Sequence, residues 1–167
     1  MSIRVRLAEA EDFDALESIE NRADALLMDY FKAATWWPAT PAAERTTAPG
    51  FTLVATDDTT DRLVGFALVL QDVDTAHLEQ LSVLPEFTRR GYGRQLVLGA
   101  AGESRRRGHT QLSLRTFADV PWNAPFYATC GFVTTEPETE FHRALVATEE
   151  ELGLPAYGRR VQMTVKL

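Results

Sequence analysis

The 167-residue chain lacks most of what would tie it to an oxidising compartment, a bilayer or a nucleic acid. Its one cysteine, Cys130, excludes an internal disulfide and suits a reducing cytoplasm. The longest apolar run, "FALVL", falls far short of the roughly 20 residues that span a bilayer. The first residues, "MSIRVRLAEAEDFD", carry charges where a signal peptide needs an apolar core, which predicts a cytoplasmic protein and no membrane partner. A net charge of −7 leaves no basic footprint for nucleic acid. That acidity serves solubility, or favours cationic small molecules. With no internal repeat and no low-complexity linker, residues 1–167 read as one domain, either monomeric or homodimeric.

What is present has the pattern of an α+β protein. Ile3–Leu7 alternates as a short strand. From Ala8 to Phe31 the spacing of Phe13, Leu16, Ile19 and Ala23 predicts a helix, with acidic residues crowding its first turn. The stretch "ATWWPATPAAERTTAPG" reads as irregular or partly helical. "FTLVATDD" and "RLVGFALVLQDV" predict strands joined by a polar turn, and "AHLEQLSVL" a third strand that Pro85 ends. A helix follows from Gly93 to Arg107, buried along Leu96, Val97, Ala100 and Ala101, with Arg105–Arg107 complementing its C-terminal dipole. "TQLSLRTF" is a strand, and "PWNAPFYATCG" a short helix opened by Pro121 and closed by Gly131. "FVTTE" and "RRVQMTVKL" predict closing strands around the helical "EFHRALVATEEEL". The sum is a mixed, mainly antiparallel central sheet flanked by helices on both faces.

Against the acidic background, "TRRGYGRQLVLGAA" (Thr88–Ala101) is basic and glycine-rich. It lies where a strand gives way to a helix, and the first N–H groups of a helix have no backbone partner and suit an anion. Gly91 and Gly93 allow close backbone approach, while Arg89, Arg90 and Arg94 offer charge. The alternative is a tight turn with solvated arginines. The spacing does not fit a nucleotide-triphosphate loop, and the third glycine of the dinucleotide fingerprint is missing.

Taken together, "AHLEQLSVLPEFTRRGYGRQLV" and "NAPFYATCGF" resemble the GNAT superfamily of acetyl-coenzyme-A-dependent N-acetyltransferases. Val83, Pro85, Gly91 and Gly93 match the family's V-x-P and [QR]-x-x-G-x-[GA] pattern, with Thr88 where the family prefers Gln or Arg. "FYATCGF" matches the family's second motif, although Val120 stands where an asparagine is frequent and Asn123 lies closer to Tyr127. Within the superfamily the arylalkylamine N-acetyltransferases look most similar. They carry two histidines, two residues apart, on the strand where this chain has His77 and Glu79. The resemblance implies a GNAT-like acyl-CoA N-acyltransferase fold and acetyl-CoA as acetyl-donor cosubstrate, with no metal. It further implies a pyrophosphate loop of Arg89, Arg90, Gly91, Tyr92, Gly93 and Arg94, and cofactor contacts from Leu81, Ser82, Val83, Asn123 and Phe126. For Phe126 the alternative is packing.

Strict alternation places His77, Glu79, Leu81 and Val83 on one strand face. Amine acetylation needs a base, because an alkylamine of pKa about 10 is protonated at neutral pH. Glu79 is the favoured base because a carboxylate also attracts the ammonium form, with His77 as second candidate or relay. A structural histidine and a solvated carboxylate are the alternatives. Tyr127 is the candidate acid for the leaving thiolate, or a core tyrosine. Trp36 and Trp37 wall an acceptor pocket or pack onto the sheet. Cys130 fits a small apolar role better than a nucleophile. The expected activity is acetyl transfer to a primary amine, with a small molecule preferred. The alternatives are a protein lysine or N-terminal acetyltransferase and a silent acyl-CoA-binding regulator.

Overall fold

The structure is a computed structural model, describing residues 2–41, 44, 49–73 and 75–167. Its strands are β1 (Ile3–Leu7), β2 (Gly50–Asp57), β3 (Leu63–Gln71), β4 (Ala76–Val83), β5 (Gln111–Phe117), β6 (Val133–Thr135) and β7 (Arg160–Lys166). The helices are α1 (Phe13–Phe31), α2 (Tyr92–Arg106), α3 (Ala124–Thr129) and α4 (Glu140–Leu152). All seven strands form one sheet in the order β1-β2-β3-β4-β5-β7-β6. Neighbours are antiparallel except β4 and β5, which run parallel because α2 carries the chain back between them.

The expected element order is the one observed, and the boundaries differ by a few residues. Helix α1 starts at Phe13 because Ala10–Asp12 forms a 3-10 turn instead, in which Asp12 accepts from the Glu9 N–H at 2.7 Å and ion-pairs with Arg6 at 2.6 Å. Of the stretch from 34 to 50, residues 42, 43 and 45–48 lie outside the described residues.

The two sheet faces are closed by helices in pairs. Leu96, Val97 and Ala100 of α2 are buried against the face carrying Leu53, Ala67 and Leu78, and α3 packs beside α2 on β7. Gly65 and Gly99 sit at this contact, where an added Cβ would meet the Ser82 carbonyl oxygen at 2.7 Å and Val5 Cγ1 at 3.1 Å respectively. On the other face α1 buries Leu16 and Ile19, and α4 presents His142 and Glu149 to β5 and β7. Among the described residues no helix is long and apolar enough to cross a membrane.

Two irregularities in β4 position everything that follows. Val69 pairs with Leu78 but Leu68 pairs with Gln80, so Glu79 is an extra residue in a β-bulge. In addition, β4 and β5 pair at Ala76–Leu78 with Leu112–Leu114 and then diverge. Beyond Leu78 the sheet is open between its two central strands.

Candidate active site

The bulge corrects the expected alternation. Partners on β3 place His77, Gln80 and Ser82 on the face that α1 and α4 cover, and Leu78, Leu81 and Val83 on the α2 face. Glu79, turned out by the bulge, stands at the mouth of the opening between β4 and β5. Its Oε2 lies 3.8 Å from His77 Nε2, so the two candidates remain neighbours despite the broken alternation. Their environments differ. The His77 ring is buried, and that desolvation pushes it down to about 3, with the His142 and Arg115 charges acting in the same direction. Protein crowds the Glu79 carboxyl although 44% of the side chain stays open to solvent. Desolvation chiefly, and the Glu149 charge next, push that carboxyl up to about 7, against the opposing pull of Arg160.

Tyr127 approaches from α3. Its hydroxyl group is pushed well above the ordinary tyrosine value by burial, then by Cys130, and is held back by Arg160. Glu79 and Tyr127 thus sense the same guanidinium, that of Arg160. Arg160 is itself held by Glu149 at 3.0 Å, as is Arg115 at 2.8 Å, and it lies 4.5 Å over the Phe117 ring. Sequence reading missed Glu149, Arg115 and Arg160. The signal for Glu149 was present, because it shares the α4 stripe of His142, Leu145 and Val146 at helical spacing.

The glycine-rich loop adopts an anion-ready backbone. After the 3-10 turn Pro85–Phe87, Arg89 (φ 62°) and Gly91 (φ 80°) are left-handed, and α2 begins at Tyr92. The first helical bond runs from the Gln95 N–H to the Gly91 carbonyl at 3.1 Å, and no side chain caps the helix, so the preceding N–H groups face outward. Gly93 lies under Phe126, whose Cζ would be 3.6 Å from an added Cβ.

Several side chains expected at this site are committed elsewhere. Arg94 donates to the Thr129 carbonyl at 3.1 Å and hydroxyl at 2.9 Å, tying α2 to α3 rather than facing the loop. The Tyr92 ring is buried on Phe87, which leaves its backbone alone available. Asn123 accepts from the Phe117 N–H at 3.4 Å, and the Ser82 hydroxyl accepts from Gln80 at 2.9 Å. Arg89 and Arg90 remain exposed, with Arg90 over the Phe87 ring at 5.3 Å. Trp36 and Trp37 join a cluster with Phe31 and Tyr157, and Phe31 meets Phe117 at 4.9 Å. The cluster therefore packs the fold and also reaches Arg160 through Phe117. Among the described residues no three His, Cys, Asp or Glu side chains gather to hold a metal.

Comparisons with known proteins agree with this geometry. The family model of the GNAT acetyltransferases matches residues 12–132. The ribosomal-protein-S18-alanine N-acetyltransferase of Escherichia coli superposes with a TM-score of 0.70 at 21% identity, over 99% of this chain and 94% of that one. The PaiA N-acetyltransferase of Thermoplasma acidophilum, solved with coenzyme A, gives 0.70 at 19% identity over the whole of both chains. N-acetylglutamate synthase of Neisseria gonorrhoeae, solved with coenzyme A and N-acetyl-glutamate, gives 0.72 at 15% identity, over 100% of this chain and 35% of that one. These likenesses establish the fold. The names of those proteins run from a ribosomal-protein-alanine N-acetyltransferase to an N-acetylglutamate synthase, so the fold does not choose an acceptor.

Proposed function

The chain belongs to the GNAT family of acetyltransferases, and on that footing we propose that it carries acetyl from acetyl-CoA to the primary amine of a small molecule by direct attack in a ternary complex. The observation that carries the proposal is Glu79 in its bulge, on the strand that diverges from β5 and leads at its far end into the outward N–H groups of α2. In this reading the pyrophosphate lies on the backbone from Arg89 to Arg94, with the Arg89 and Arg90 charges assisting. The acyl arm enters between β4 and β5, where backbone groups of Leu81, Ser82 and Val83 are free of a β5 partner.

Glu79 takes the proton that the incoming ammonium must lose. A base with a pKa near neutrality suits that task, and such a base contributes roughly 10²–10⁴-fold. His77, protonated near pH 3, is too weak to compete. The nitrogen lone pair attacks the thioester carbon, the carbonyl becomes an oxyanion facing strand N–H groups, and the C–S bond breaks. Tyr127, kept protonated by burial, gives its proton to the departing thiolate, and the phenolate takes back the second proton that the acetylated nitrogen sheds. The carboxylates of Glu20 and Glu79 support a cationic acceptor, and the cluster of Trp36, Trp37 and Tyr157 supports one with an apolar body.

The test is thiol release from acetyl-CoA against panels of small amines, amino acids and peptides. Release with small amines, lost in Glu79→Gln, is the expected result. Turnover with peptides alone would overturn the acceptor class, and coenzyme A binding with no turnover on any panel would overturn catalysis.

A further inference from the structure

His77 is the first member of a buried chain of imidazoles and hydroxyls that runs from Glu79 to α4. Ser113 Oγ lies 2.8 Å from His77 Nδ1 and 2.9 Å from His142 Nε2. Thr139 Oγ1 lies 2.9 Å from His142 Nδ1. His77, Ser113 and His142 are all buried. The far end opens on a polar cavity of about 320 Å³ lined by Thr139, His142, Glu138 and Gln162. Gln162 Oε1 is buried there without a partner among the described residues, which marks the cavity as a place that takes water.

We propose that Ser113, His142 and Thr139 are positioning residues that fix the polarity of His77, holding its Nε2–H toward the Glu79 carboxylate. The proposal rests on the reading of Glu79 as the base. Each group in the chain can donate and accept, so the chain has two directions, all donors toward Glu79 or all away; the Ser113 hydroxyl has a third acceptor in the Ala76 carbonyl, but at 3.4 Å that contact is much longer than the 2.8 Å to His77 Nδ1. Its ends decide which. An ionised carboxylate only accepts, so the Glu79 end selects a donor on His77 Nε2. At the other end Thr139 caps α4, its oxygen accepting the His142 N–H at 3.1 Å, and its hydroxyl hydrogen is available to His142 Nδ1. Both ends favour the direction Thr139 to His142 to Ser113 to His77 to Glu79, and aligned bonds polarise one another.

The chain works only if both imidazoles are neutral. Burial lowers His77 to about 3, and it lowers His142 too, with the Arg115 charge adding and Asp72 opposing. The charged groups facing Glu79 are Glu149 from α4, Arg160 from β7 and Glu20 from α1. The last span, 3.8 Å, is longer than a hydrogen bond, and a rotation of the half-exposed Glu79 side chain would close it. Losing the aligned donor therefore moves the Glu79 titration up by about half a unit to one unit, the scale of one modest hydrogen bond.

Nuclear magnetic resonance tests this without an acceptor. The ¹³C signal of the Glu79 carboxyl, assigned by its loss in Glu79→Gln, is followed against pH. Long-range ¹H–¹⁵N spectra report the tautomers of the 3 histidines. The expected result is His77 and His142 neutral with Nε2–H, and a Glu79 titration that rises in Ser113→Ala. Thr139→Val, at the rim of the cavity, moves it the same way by less and stands in if Ser113→Ala does not fold. A proton on His77 Nδ1, or a Glu79 titration unmoved by these variants, overturns the relay alone. A Glu79 that titrates as an ordinary carboxylate overturns the base reading and the relay with it.

Discussion

Glu149→Gln tests the electrostatics around the opening. The wild-type carboxylate takes Arg115 at 2.8 and 3.3 Å and Arg160 at 3.0 and 3.1 Å, two forked contacts on one group. The side chains are 9%, 14% and 11% exposed for Arg115, Arg160 and Glu149, so solvent screens the group little. Glutamine keeps the shape, but it halves the acceptors, turns N–H against N–H and leaves two guanidiniums uncompensated. Breaking a buried pair costs about 3–5 kcal/mol, and partial exposure puts this one near the lower end, about 3 kcal/mol. For a chain of this length that is a fall in Tm of about 6–12 °C. Burial works to raise Glu149, but the hydrogen bonds from Arg160 and Arg115 outweigh it and leave the carboxyl below its ordinary 4.5. A depressed carboxylate stabilises the fold above the unfolded value and loses that contribution as pH falls through the native one. The deficit of the variant should thus be full at neutral pH and shrink below about pH 4. The assay is urea and thermal unfolding of both proteins at neutral and acid pH. A variant melting within about 1 °C of the parent at neutral pH, or a deficit that persists undiminished in acid, refutes the reasoning. The same variant should lower the Glu79 titration from about 7, because Glu149 is one of the charges holding it up.

Other variants separate roles that share this small region. Tyr127→Phe should cut kcat by about tenfold or more while coenzyme A affinity by calorimetry stays within about twofold. Charge reversal at Arg89 and Arg90 should weaken coenzyme A binding, with a loss that narrows at high salt. Arg94→Ala should leave that affinity nearly unchanged, and it should lower Tm slightly by freeing Thr129. Gly65→Ala should destabilise the fold by about 2 kcal/mol or more in urea unfolding, because its Cβ would press on the Ser82 carbonyl, a backbone atom that cannot step aside.

The order of strands and helices was readable because hydrophobic period and turn residues are local properties. Pro85 ends β4, the α2 stripe is as expected, and Gly91 takes the left-handed backbone that its place ahead of the helix requires. The motifs around Val83, Gly91, Gly93 and Tyr127 likewise carried the family. The alternation of β4 was misread because a bulge is decided by pairing with β3, which no property of "AHLEQLSV" announces. Arg94 was expected at the ligand by its charge in the loop and Asn123 through the family resemblance, whereas in space Arg94 holds Thr129, 35 residues on, and Asn123 accepts from the Phe117 N–H. The His142–Ser113–His77 chain joins three separate elements, so only the fold could assemble it.

The short pairing between β4 and β5 has a mechanical meaning. The block β1–β4 and the block β5–β7–β6 are stitched by three residue pairs, against seven between β5 and β7, so this seam is a soft line through the middle of the sheet. Helix α2, which touches strands on both sides, acts as a splint across it. A molecule wedged between the diverging strands would splint the other half of the seam. Amide exchange in Gln80–Val83 should then report occupancy directly, slowing on coenzyme A binding while the interior of β3 stays as it was.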